Sequence, residues 1–125
     1  MMGSDIEVLK RIYDQFNKRD IDGVLAVLAN DVAWANGMDG GHVHGREAVR
    51  DYWTRQWKMV SPHVEPVSFT EAADRSIVVE VKQVIRDLEG KPLPDQTHGL
   101  KDKTVGHVFR LQEGKVIRFD IRDDL

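Results

Sequence analysis

Asn17-Lys18-Arg19-Asp20-Ile21-Asp22-Gly23-Val24-Leu25-Ala26-Val27-Leu28-Ala29-Asn30-Asp31-Val32-Ala33-Trp34 is the stretch on which the reading of this chain turns. Asp20 is placed to cap a helix, because its carboxylate can accept from the free amides of the next turn. Ile21, Val24, Leu25 and Leu28 then fall at helical spacing, and Asn30-Asp31 ends the run. Val32 to Asn36 reads as a short strand with Trp34 and Asn36 on one face. Upstream, Ser4 and Glu7 have the spacing of a capping box, and Ile6, Leu9, Ile12, Tyr13 and Phe16 form one apolar stripe. Downstream, Gly37-Met38-Asp39-Gly40-Gly41 reads as a loop, with His42 and His44 at its end. A third helix opens after Gly45, where Val49, Trp53 and Trp57 recur every four residues beside Tyr52.

Beyond this point the period changes to two. Val64–Thr70 reads as a strand, and Pro66 suggests an edge or the strand's start. Asp74-Arg75 supplies a turn. Ser76–Leu88 is a long strand with Val79, Val81, Gln83 and Ile85 on one face and Glu80, Lys82 and Arg86 on the other. The prolines of Pro92–Lys103 argue for an extended or irregular passage. Thr104–Gln112 and Lys115–Asp123 form a hairpin across Glu113-Gly114. His107, Phe109 and Leu111 share a face of its first arm, and Ile117, Phe119 and Ile121 share a face of its second. The order implies an α+β domain spanning 1–125, a cone-shaped barrel with three N-terminal helices packed on a strongly bent antiparallel sheet. The open end of such a cone is a natural ligand site.

Bulk properties narrow the function. The chain has 125 residues, a net charge of -3 with interspersed signs, 41% hydrophobic residues and no cysteine. No basic stripe suggests nucleic acid as a partner. No apolar run approaches a membrane span, and no signal peptide is visible, so a cytoplasmic location is expected. Without cysteine, disulfides and thiolate chemistry are excluded.

The opening stretch, His44-Gly45-Arg46-Glu47-Ala48-Val49-Arg50-Asp51-Tyr52-Trp53, and the closing hairpin from His107 to Ile121 together resemble the nuclear transport factor two-like superfamily. The nearest branches are the SnoaL-like polyketide cyclases and the ketosteroid isomerases. The resemblance implies isomerase, cyclase or dehydratase chemistry without an organic cofactor, and a homodimer formed through the outer face of the sheet. In the isomerases a carboxylate base lies on the first strand, where this chain carries Asn36. Their tyrosine donor on the first helix falls on Ile12, one residue from Tyr13, and their acidic donor on the penultimate strand falls on His107. The cyclases' aspartate falls near Ile121, with Asp120 on the opposite face. His107 is therefore the one group at these positions that can serve as acid or base.

Each candidate has a plain structural reading beside it. His107 is either a proton-transfer group or a histidine satisfied by a neighbour. Asn36 either donates to an oxyanion or closes the adjacent glycine loop. Trp34, Trp53, Trp57, Tyr13, Phe109 and Phe119 either line a cavity suited to a small apolar or aromatic molecule or fill the core. Gln83 interrupts an apolar face and, if buried, needs a polar partner. His42 and His44 alternate as zinc ligands can, but no further ligand follows at a recognisable spacing, and no metal site is assigned. An enzyme acting on a small carbonyl compound, a non-catalytic small-molecule binder and a structural homodimer all remain open.

Overall fold

The computed structural model describes residues 2–36, 40–91 and 103–122. Helix α1 (Met2–Asn17) buries the stripe its spacing marks, with Leu9, Ile12 and Tyr13 all inside. It begins at Met2, so Ser4 lies within the helix, and the expected capping box is not its start. Helix α2 (Ile21–Leu25) is capped by Asp20, whose side chain accepts from the Gly23 amide at 3.1 Å.

Strand β1 (Leu28–Ala35) starts four residues earlier than the sequence suggests. Leu28 leaves the helix and pairs with Val116 on the last strand, and both side chains are fully buried. Burying each is worth about 1.5–3 kcal/mol, while the helical preference of one residue is worth only about 0.7 kcal/mol. The sheet therefore wins. Strand β2 (His42–His44) is a second departure, since these residues read as the end of a loop. They pair antiparallel with Ala33–Ala35.

Helix α3 (Arg46–Trp57) follows Gly45, whose φ of 90° and ψ of 157° lie in a region reserved for glycine. The glycine amide donates to Val32 O at 2.8 Å, and Arg46 Nε reaches Leu28 O at 2.9 Å, so the helix start is pinned to β1. Strands β3 (Ser61–Glu71), β4 (Ile77–Arg86), β5 (Lys103–Gln112) and β6 (Lys115–Arg122) complete the chain. Glu113 and Gly114, with φ of 52° and 78°, make the two-residue turn between β5 and β6.

The sheet order is β2-β1-β6-β5-β4-β3, and β3, which carries Pro66, is an edge as expected. Ladders β3–β4, β4–β5 and β5–β6 are antiparallel, but β1 pairs with β6 in parallel. The sheet is therefore mixed rather than wholly antiparallel. No hairpin joins β1 to β6, so nothing local fixes their relative direction. Irregularities at Leu28/Ala33, Pro66/Ser68 and Arg110/Leu111 bend the ladders. The sheet curls without closing, because among the described residues β2 and β3 do not pair.

Two polar clamps hold the helices against this curl. Asn17 donates to Val64 O at 2.8 Å and accepts from Val64 N at 3.0 Å, pairing with edge strand β3 as a neighbouring strand would. Arg19 donates to Phe16 O, Ser61 Oγ and Pro62 O, and its guanidinium lies 5.0 Å from the Trp57 ring centroid. The C-terminal ends of α1 and α3 and the start of β3 are thereby tied together. The stretch 92–102, read as irregular, and Gly37, Met38 and Asp39 of the glycine loop lie outside the described residues. No described helix is long and apolar enough to cross a membrane.

Candidate functional site

Between the helices and the concave face of the sheet lies a partly open cavity of about 90 Å³. Its walls come from α1 (Ile12, Tyr13, Phe16), the end of β1 (Trp34, Ala35), α3 (Tyr52, Trp53, Gln56), β3 and β4 (Pro62, Val64, Gln83, Ile85), and the closing hairpin (His107, Phe109, Phe119, Ile121). The volume holds several waters and falls below the roughly 300–1,000 Å³ of drug-sized sites. The lining is mostly apolar and contains no charged side chain at neutral pH.

The polar centre of the cavity is a pair from α1 and β5. The Tyr13 hydroxyl and His107 Nδ1 are 2.7 Å apart, with ring planes within 8° of parallel. Phe109 and Phe119 pack edge-on against the imidazole, with ring centroids 6.3 and 4.8 Å away. Burial pushes the His107 pKa down to about 3 and raises that of Tyr13 well above its ordinary value. Both groups are therefore neutral at physiological pH, and one proton lies between oxygen and Nδ1. Nε2 has no hydrogen-bond partner among the described residues, although the residue is only 6% exposed. It is not a sealed, unpartnered atom, so it meets the cavity.

A second polar pair lies on α3, where Gln56 Nε2 donates to the Tyr52 hydroxyl at 3.0 Å. The sequence places Tyr52 beside the helix stripe but does not single out Gln56. The series Val49, Trp53, Trp57 with Tyr52 beside it is the expected stripe, and the buried face is Val49, Tyr52, Trp53, Gln56. The spacing i, i+3, i+4, i+7 was the available signal.

The other residues singled out in the sequence divide. Trp34, Trp53, Gln83, Phe109 and Phe119 are on the wall with Tyr13 and His107. Trp34 stacks on Phe119 at 4.2 Å and meets Trp53 edge-on at 5.2 Å. Trp57 and Asn36 are not on the wall. Trp57 lies behind Trp53, stacked at 5.8 Å, and its buried Nε1 has no hydrogen-bond partner. The Asn36 backbone N–H donates to Gly41 O and its backbone carbonyl accepts from the Gly40 N–H, both at 2.9 Å, where the chain turns after β1. His42 is not on the wall either and bonds Asp120 Oδ1 at 2.7 Å, while Arg118 holds Oδ2 at 2.8 Å. Burial acts to raise the Asp120 pKa, but these two partners outweigh it and the net shift is downward. No group of three potential metal ligands occurs among the described residues.

The SnoaL-like domain family model matches residues 9–119. Among solved structures, an NTF2-like protein of unknown function from Burkholderia pseudomallei is 26% identical with a TM-score of 0.78, covering 97% of this chain and 91% of that one. A candidate polyketide cyclase from Sinorhizobium meliloti is 21% identical at TM-score 0.75, covering 93% and 94%. SalBIII, an epoxide hydrolase/cyclase-like enzyme in pyran ring formation in salinomycin, is 18% identical at TM-score 0.77, covering 97% and 91%. Comparison with curated proteins found no match.

Proposed function

The chain belongs to the SnoaL-like domain family, and from that premise we propose that it is an isomerase- or cyclase-type enzyme that moves a proton on a small, neutral carbonyl compound. The observation that carries this reading is the buried Tyr13–His107 hydrogen bond on the wall of an apolar cavity. The low pKa of His107 decides how the pair works. Charging a group of pKa about 3 at pH 7 costs about 5 kcal/mol, so a free-standing imidazolium is a poor intermediate.

A relay avoids that cost. In one tautomer Nδ1–H donates to the Tyr13 oxygen, the phenol hydrogen turns to the substrate carbonyl, and Nε2 presents its lone pair. Nε2 takes a proton from the carbon beside the carbonyl, Tyr13 gives its proton to the carbonyl oxygen, and Nδ1–H passes to Tyr13. The product is an enol, the histidine is left as the Nε2–H tautomer, and both protein groups stay neutral. Return of the Nε2 proton at another carbon, with the enol proton passing back through Tyr13 to Nδ1, isomerises the compound. Attack of the enol carbon on an electrophile within the same molecule would instead close a ring. A ligand that fills the cavity displaces its water, and the mostly apolar walls then strengthen the hydrogen bonds made inside.

Conversion of cyclohex-3-enone to cyclohex-2-enone, followed by ultraviolet absorbance, tests the proposal. The wild type should accelerate it. Tyr13→Phe and His107→Gln should each lower the rate at least 100-fold while the far-ultraviolet spectrum is unchanged. The uncharged lining also suits a protein that holds a ligand without turning it over. Binding of the enone without turnover at any pH from 5 to 9 would favour that reading and end the catalytic one.

A further inference from the structure

We infer that Gln56 recognises a second oxygen on the ligand, a hydroxyl or another carbonyl, so that the compound taken by the cavity is bifunctional. This rests on the reading of the cavity as a carbonyl site, and extends it from one polar contact to two. Gln56 is 6% exposed, projects from α3 and lines the cavity opposite no charged group. Its amide has two donors and an oxygen acceptor. One donor is used by the Tyr52 hydroxyl, at 3.0 Å. The oxygen has no hydrogen-bond partner among the described residues.

That oxygen is not sealed in protein, because among the described residues the one sealed side-chain atom without a partner is Trp57 Nε1. The side chain is nearly closed off from bulk solvent, so the space its free edge meets is the cavity. Rotating the amide by half a turn exchanges oxygen for nitrogen, and a polar edge still faces inward. Buried polar groups are mostly satisfied in folded proteins, so this edge is met by water in the empty cavity and by a polar group of the ligand in the filled one. Tyr52 fixes the amide's rotation, which makes the edge a directed contact rather than a mobile one. The two polar stations come from different walls, His107 from the sheet and Gln56 from α3. A ligand with a single oxygen satisfies one and leaves the other to water.

Calorimetric or NMR titration with cyclohexanone and with 2-, 3- and 4-hydroxycyclohexanone tests this. At least one hydroxyketone should bind the wild type fivefold or more tightly than cyclohexanone. The advantage should vanish in Gln56→Leu and shrink in Tyr52→Phe, which frees the amide without changing its volume. The comparison is the ratio of the two affinities within each variant, and cyclohexanone affinity itself should fall in Tyr13→Phe. If cyclohexanone binds in a Tyr13-dependent manner but no hydroxyketone binds more tightly, or the advantage survives in Gln56→Leu, the role of Gln56 is overturned and the carbonyl site stands. If none of the four probes binds, both are overturned. Should Gln56→Leu not fold, the Tyr52→Phe ratio decides.

Discussion

A histidine that cannot charge is a different reagent from one that can. In the unfolded chain His107 takes a proton as pH falls through about 6.5, but in the folded chain it does so only near pH 3. The unfolded state therefore binds the extra proton first. Stability from the buried neutral ring is complete above pH 6.5 and is lost as pH falls toward 3, by up to about 1.4 kcal/mol per unit. Urea denaturation at pH 7.5 and pH 5 should show the wild type losing about 2 kcal/mol more than His107→Gln, since the other histidines are common to both. Equal losses would mean that the ring is charged in the fold. The sequence marked both Tyr13 and His107, but it could not show that they meet. They are 94 positions apart, and their bond depends on how α1 lies across β5. Gln56 was harder still, because a glutamine between Arg55 and Trp57 looks like surface until the helix face is projected.

At the scale of the element, hydrogen bonds that tie one piece to another set the walls. Asn17 serves both backbone groups of Val64, which is itself buried, so its removal leaves a donor and an acceptor on β3 without partners. Asn17→Ala should cost about 1–3 kcal/mol, measured as a drop in urea midpoint with an unchanged slope. Gly45 carries a backbone conformation that side chains resist, although a Cβ there would meet nothing nearer than Asn30 O at 3.5 Å. Gly45→Ala should therefore cost about 1–3 kcal/mol from backbone strain rather than from a clash. Both residues lie in the stretches that carry the family resemblance, and each bonds strand backbone, Asn17 at Val64 and Gly45 at Val32. What escaped it at this scale was short or shared. Three residues, His42–His44, carry too little pattern to announce a strand, and Leu28 fits a helical stripe as well as a buried ladder.

Over the whole molecule, helices on a bent sheet could be read because amphipathic periods and turn residues are local. The parallel contact of β1 with β6 could not, because it joins residues some 85 positions apart with no turn to announce it. That contact has a functional consequence, since it sets Trp34 against Phe119 and closes one wall of the cavity. The space left over is small, and Ile121, half-buried on the last strand, borders it. Ligand size should then follow the volume at this position. Ile121→Ala removes three carbons from the wall at a cost below that of a fully buried isoleucine, which is about 2–5 kcal/mol. It should shift the binding preference from cyclohexanone toward cycloheptanone and cyclooctanone. Ile121→Phe adds volume toward the cavity, so it should abolish binding of all three ketones while the melting temperature stays within a few degrees of wild type. A melting temperature that collapses in Ile121→Phe would mean that the space beside Ile121 is already occupied by packing. Unchanged ketone affinities in both variants would place the binding site elsewhere on the protein.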